Sequence, residues 1–221
     1  MFIALEIIKF IINVFLITTI VDIILMGPVF PHFGKKGKLA SFFVKPRPET
    51  VKTENGTYFE FQGAGGCAGF SSAFVLRHLG QQVKGDEAFK EVPWTYGNGV
   101  AFPKGITGFF KKRGIKMRAC VGNLAALQNE LTRGNPVIVV IRSFVGKRFL
   151  HFACITGYDE KNIYLADSIK DWVNVEKPAD GEELYYNRIV PLSEFKKLWN
   201  TSMLKMPLYF NIFYKASEQP L

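Results

Sequence analysis

Four side chains in this sequence are of the types that acyl chemistry needs: Cys67, His151, Asp167 and Gln62. A thiol is a useful nucleophile only as its thiolate, so it needs a base within reach and a field that favours negative charge. The stretch Gln62-Gly-Ala-Gly-Gly-Cys67-Ala-Gly-Phe-Ser-Ser-Ala-Phe-Val-Leu-Arg-His-Leu-Gly80 supplies the field. Phe70, Ala73, Phe74 and Leu79 recur at helical spacing, and Gly80 provides a C-terminal stop. Cys67 therefore falls at or just before the first turn of a helix, where unpaired amides and the positive end of the macrodipole favour a thiolate. The three glycines ahead of it leave the backbone bare for a substrate chain to approach. Gln62, a few residues upstream, is the candidate side-chain amide that pairs with the Cys67 backbone amide to hold an oxyanion. The competing reading of this stretch alone is a buried small thiol at a glycine-rich helix start.

The base comes from the second half of the chain. Asn135-Pro136 precedes Val137-Ile-Val-Val-Ile141, a buried strand by composition. The runs Arg148–Tyr158 and Asn162–Asp167, separated by Asp159-Glu160-Lys161, signal a β-hairpin. With that loop Tyr158 faces Asn162, and Asp167 falls opposite Ala153, on the face of His151 and diagonal to it. Diagonal neighbours sit about 7–8 Å apart, within reach of a carboxylate that orients the imidazole. A four-residue loop would reverse the parity and put Asp167 behind the sheet. His78 is excluded because it lies about 16 Å along the helix from Cys67. His32 stands beside the N-terminal helix in an expected irregular strip, which leaves His151. Cys154 alternates away from His151 and reads as core, as does Cys120 in the run from Ile115 to Val121. Taken singly, His151 is an ordinary sheet histidine and Asp167 a turn residue.

The elements that position these groups fit one domain with an appendage in 221 residues. The apolar excess is concentrated at the N-terminus, where a helix from Phe2 to Met26 would be roughly 37 Å long and able to cross a bilayer. Glu6 and Lys9 are spaced to pair on one face, and Gly27 and Pro28 end the helix. With no basic n-region and no small-x-small cleavage site, a retained transmembrane anchor is favoured over a cleaved signal peptide. The division expected is an anchor over residues 1–31, a linker over 32–54 and a domain over 55–216. Further helices are expected near Pro103–Lys112 and Asn123–Arg133, with strands through Glu183–Val190 and Pro207–Tyr214.

The formal charge is +9, with 28 basic and 19 acidic residues. The basic clusters Lys35/Lys36/Lys38, Lys111/Lys112/Arg113 and Lys147/Arg148 lack interleaved stacking aromatics, so they read as solvated faces and nucleic acid is not an expected partner. The first cluster would lie at lipid headgroups, and by the positive-inside rule it favours a cytoplasmic domain. Three cysteines and scattered histidines require neither a disulfide framework nor a metal site, and no cofactor is expected.

The order Gln, Cys at a helix start, His followed by an aromatic on a strand, then Asp after a hairpin resembles papain-like cysteine peptidases. More closely, His151-Phe-Ala-Cys-Ile-Thr-Gly-Tyr-Asp ending at Ala166-Asp167, and Pro191-Leu-Ser-Glu-Phe-Lys-Lys-Leu-Trp199, resemble the bacterial family that trims double-glycine leaders from bacteriocin precursors. The likeness runs from about Tyr58 to Trp199 and is to its stand-alone form, since no transporter segment or nucleotide-binding motif is present. It implies an α+β, papain-like fold with the cysteine helix in an N-terminal helical part and an antiparallel sheet behind it. It also implies a thiol peptidase with catalytic Cys67, His151 and Asp167, an oxyanion hole at Gln62, and a peptide or protein substrate. Here the interval from Gln62 to Cys67 is one residue shorter than usual in that family. Ala68 stands where glycine is common, no aspartate precedes Cys67, and Ser168 stands where proline is frequent. An acyltransferase or amidase on the same scaffold and a catalytically inactive peptide-binding domain are the alternatives. Because such membrane-proximal domains often face outward in bacteria, the membrane side stays open, as does the oligomeric state.

Overall fold

The computed structural model describes residues 2–34, 48–53, 58–63, 65–97, 99–142, 149–176, 184–201 and 211–216. The clusters Lys35/Lys36/Lys38 and Lys147/Arg148, most of the expected linker and Pro207 lie outside these residues.

The apolar N-terminal run forms one helix, α1 (Phe2–Met26), with mean hydropathy 2.3 over its span. It is long and apolar enough to cross a membrane. Lys9 donates to Glu6 at 2.8 Å, so its two charged side chains satisfy each other. The side chains face outward along most of α1, and only near its C-terminal end are Asp22 and Met26 buried. Gly27, at φ +69°, turns the chain out of the helix.

Two segments that read as anchor end and linker are strands. β1 (Val29–His32) runs parallel to β5 (Met117–Gly122), from Val29 opposite Ala119 to His32 opposite Gly122. β2 (Val51–Lys52) pairs with β7 (Leu150–Tyr158). The parallel partner of β1 lies far along the chain, so no local signal announces it. His32 is accordingly not in an irregular strip: its Nε2 lies 3.0 Å from Glu130 Oε1.

Three helices fall where the sequence predicts them, α2 (Cys67–His78), α4 (Pro103–Lys112) and α5 (Leu124–Thr132), and a further short one, α3 (Gly85–Glu91), follows α2. Pro103 occupies the first turn of α4, and Asn123 caps α5 by accepting from the Ala126 amide at 3.0 Å. A small hairpin, β3 (Thr95–Tyr96) with β4 (Val100–Ala101), precedes α4. The rest of the main sheet is β6 (Val137–Arg142), β8 (Asn162–Ala166), β9 (Arg188–Pro191) and β10 (Ile212–Ala216), with α6 (Leu192–Trp199) after β9. The order is β1-β5-β10-β6-β7-β8-β9, antiparallel except at β1–β5.

Both faces of this sheet are covered. Ile138 and Val140 of β6, with Phe152 and Cys154 of β7, pack with Phe74, Leu76 and Phe109 in one core. Val137, Val139 and Ile141, with Ala153 and Ile155, join Leu127, Phe195 and Trp199 in a second core. That double burial explains why β6 reads as an unbroken apolar run rather than an alternating one. Beneath the first core, α2 meets α3 at Gly69, where a Cβ would come 2.4–2.5 Å from atoms of Phe89.

Candidate active site

Cys67 is the first residue of α2. Gly66 before it sits at φ +93°, a left-handed conformation that lets the chain turn sharply into the helix. The thiol is buried. Burial opposes its ionisation, but the hydrogen bond and charge of His151 and the amides of Phe152 and Ala68 outweigh this, and its pKa lies below the ordinary thiol value.

His151 lies near the start of β7, paired with Ile141 of β6. Its Nε2 is 2.9 Å from Asp167 Oδ1, with both side chains wholly buried. Trp172 stands edge-on to the imidazole, with ring centroids 4.9 Å apart at 88°. Burial works against a charged ring, yet the charge and hydrogen bond of Asp167, with the contact to Cys67, raise the His151 pKa to about 9. The other ring nitrogen, Nδ1, has no hydrogen bond of ordinary geometry among the described residues, although thiol and ring perturb each other's ionisation.

Asp167 follows β8 and is held from several sides. Arg188 Nη1 lies 2.9 Å from Oδ2, and the Ile169 amide donates to Oδ1 at 3.0 Å. Asn187 brackets its backbone, accepting from the Asp167 amide at 2.7 Å and donating to its carbonyl at 2.8 Å. Burial favours the neutral acid, but the charge and hydrogen bond of His151, the Ile169 amide and Arg188 hold the pKa below the usual carboxylate value.

The hairpin reaches this arrangement by a different route from the expected one. Tyr158 faces Ile163, not Asn162, because Asp159 Oδ1 accepts from the amides of Lys161 and Asn162 at 2.7 and 2.6 Å and builds a four-residue turn. Such a turn alone would send Asp167 to the wrong face. A β-bulge restores the parity: Gly157 pairs with Tyr164 but Ile155 pairs with Leu165, leaving Thr156 as the extra residue. Beyond the bulge Cys154 faces Ala166, the register that puts Asp167 beside His151.

Gln62 ends an extended segment fixed at both ends. Arg77 of α2 donates to Glu60 at 2.5 Å and to the Tyr58 carbonyl at 3.1 Å. At the other end the Gln62 amide donates to the Ser168 carbonyl at 2.8 Å, and the Ser168 hydroxyl donates to Gln62 Oε1 at 2.6 Å. An open cleft of about 420 Å³ begins beside this segment, walled by Phe59, Phe61, Val173, Val175 and Tyr186.

The structure thus brings Cys67, His151 and Asp167 together and ties Gln62 to the residue after Asp167. Cys120 and Cys154 are free thiols buried in the two cores, and burial raises both pKa values, Cys120 to about 11. Sequence reasoning missed Asn187, Arg188 and Trp172. Asn187 and Arg188 are hidden by their distance along the chain from Asp167 and approach it only through the β8–β9 pairing of Leu165 with Arg188. Trp172 lies shortly after Asp167 in a single 3-10 turn, Lys170–Trp172, that no apolar periodicity announces.

A thiol of lowered pKa beside an imidazole that a buried carboxylate holds is an arrangement chemically able to activate the sulfur for nucleophilic attack. Residues 50–202 match the model of the Peptidase_C39 like family, and the chain belongs to that family. In fold it is similar to a C39-like peptidase from Bacillus anthracis, with TM-score 0.56 and 15% identity over 79% of this chain and 100% of that one. It is also similar to the peptidase domain of Streptococcus ComA, a bifunctional ABC transporter involved in a quorum-sensing pathway. There the TM-score is 0.53 and the identity 18%, over 73% of this chain and 97% of that one. A comparison with curated proteins gives no match.

Proposed function

We propose that this chain is a membrane-tethered cysteine peptidase with a Cys67–His151–Asp167 triad and an oxyanion hole at Gln62. The observation that carries the reading is the buried 2.9 Å contact between Asp167 Oδ1 and His151 Nε2. It commits one ring nitrogen to the carboxylate and leaves Nδ1 for the thiol. Membership of a peptidase family supports hydrolysis of a peptide bond. The open cleft that starts at Phe61, next in the chain to Gln62, and is lined by apolar side chains together with Lys170, Glu176 and Asn187 offers room for a substrate chain.

In the resting site the proton of Cys67 resides on His151. The thiolate attacks the carbonyl carbon of the scissile bond, forming the S–C bond and moving charge onto the carbonyl oxygen. Gln62 Nε2 and the Cys67 amide donate to that oxygen. Collapse breaks the C–N bond as His151 gives its proton to the leaving amine. Water then attacks the thioester while His151 takes its proton, and collapse breaks the S–C bond, releasing the acid product and restoring the thiolate–imidazolium pair. Asp167 keeps Nδ1 aimed at the sulfur throughout and stabilises the imidazolium. The outward apolar surface of α1 supports the tether.

The test is incubation of the full chain with a mixed-sequence peptide library read by mass spectrometry. The wild type is expected to release new termini and Cys67→Ala to release none. An alanine variant as active as the wild type would contradict the proposal.

A further inference from the structure

A carboxamide has a donor end and an acceptor end, and only the donor end stabilises an oxyanion. The Ser168 hydroxyl donates to Gln62 Oε1 at 2.6 Å, which fixes the acceptor end on Ser168 and turns Nε2, with its two hydrogens, the other way. Ser168 is itself buried, so this bond lies in surroundings where it is worth more than in water. Asp167, next to it, is locked to His151, Arg188 and Asn187, so the hydroxyl projects from a fixed point. Gln62 is half-buried, and its long side chain has rotamers to choose from without such a partner.

We infer that Ser168 is a positioning residue that sets the donor end of Gln62 toward the oxyanion. The inference rests on the reading of Gln62 given above. The backbone bond from the Gln62 amide to the Ser168 carbonyl is separate from the hydroxyl bond and survives any side-chain change at residue 168. Ser168→Ala therefore frees the amide to flip while leaving its segment attached.

Two reagents that need no knowledge of the natural substrate separate this role from a structural one. With p-nitrophenyl acetate the thiolate adds to a carbonyl, an oxyanion forms, and p-nitrophenolate leaves as the acetyl thioester remains. With iodoacetamide the S–C bond forms as iodide departs, and no oxyanion develops. Gln62→Ala should slow acetylation of Cys67 by about 100-fold and Ser168→Ala by about tenfold, with the double variant no slower than Gln62→Ala. Alkylation should stay within about twofold of wild type in all three, and Ser168→Thr should restore acetylation. Ser168→Ala acetylating at the wild-type rate while Gln62→Ala is slow would overturn this inference and leave the peptidase reading standing. Equal loss of acetylation and alkylation in Ser168→Ala would mean a collapsed site and would also overturn it. A wild-type Cys67 inert to both reagents would sink the peptidase reading and this inference with it.

Discussion

Arg188 Nη1 lies 2.9 Å from Asp167 Oδ2, the carboxylate oxygen that His151 does not use. The aspartate therefore serves two cations when the ring is protonated. The Arg188 guanidinium lies 5.4 Å from the Trp172 ring, which stands edge-on to His151, so the four side chains close on one another around the imidazole. The arginine favours the ionised aspartate, and its positive charge also moderates how strongly Asp167 attracts a proton to His151.

Removing that partner leaves a buried carboxylate short of one of its two cations. Arg188→Met should lower the unfolding free energy by about 3 kcal/mol. Urea denaturation at neutral pH measures this as a lower midpoint at unchanged slope. A midpoint equal to wild type would mean that the pair contributes nothing.

The His151 value of about 9 makes a prediction for alkaline pH. The general acid that protonates the leaving amine is present only while the ring holds its proton. Peptide hydrolysis should thus fall as pH rises through about 9. The same sign applies to stability. The folded-state value lies above the ordinary 6.5, so the contribution of this group is complete below that pH and is lost on the way to about 9. A pH–rate profile still rising beyond pH 10 would be inconsistent with an imidazolium acid on the order of this value.

Helix α2 owes its seat to Gly69, since a Cβ there would come 2.4 Å from the Phe89 Cβ and 2.5 Å from its backbone. Gly69→Ala should push α2 away from α3 at a cost of about 1–3 kcal/mol. Thermal unfolding would show a lower midpoint, and alkylation of Cys67 would slow as the helix start shifts. An unchanged midpoint would show that α3 yields without strain.

As a bilayer-spanning segment, α1 should hold the chain in phospholipid vesicles through an alkaline carbonate wash. A variant lacking residues 2–26 should be released. Retention of the shortened chain, or loss of the full one, would count against α1 as the tether.

The helix carrying Cys67 was legible because its signals are local: apolar spacing, a glycine stop at Gly80 and bare glycines before the thiol. The hairpin was legible in outcome but not in route. Asp159 lengthens the turn and Thr156 bulges out, and these two irregularities cancel for residues beyond Cys154. The surroundings of Asp167 were not legible, because Asn187 and Arg188 reach it through strand pairing. The parallel seat of β1 beside β5 was hidden for the same reason. Ser168 stood out only as a departure from a family pattern, and its bond to Gln62 gives that departure a physical role.

The central claim is that Cys67 and His151 share a proton as a thiolate–imidazolium pair. Its most direct test is the rate of Cys67 alkylation by iodoacetamide against pH, followed by mass spectrometry of the Cys67 peptide. Cys120 and Cys154 stay silent because burial raises their pKa values. The account predicts fast wild-type alkylation well below the ordinary thiol range of about 8.5, and an inflection at or above that range in His151→Ala. A wild-type inflection at or above about 8.5, unmoved by His151→Ala, would contradict it.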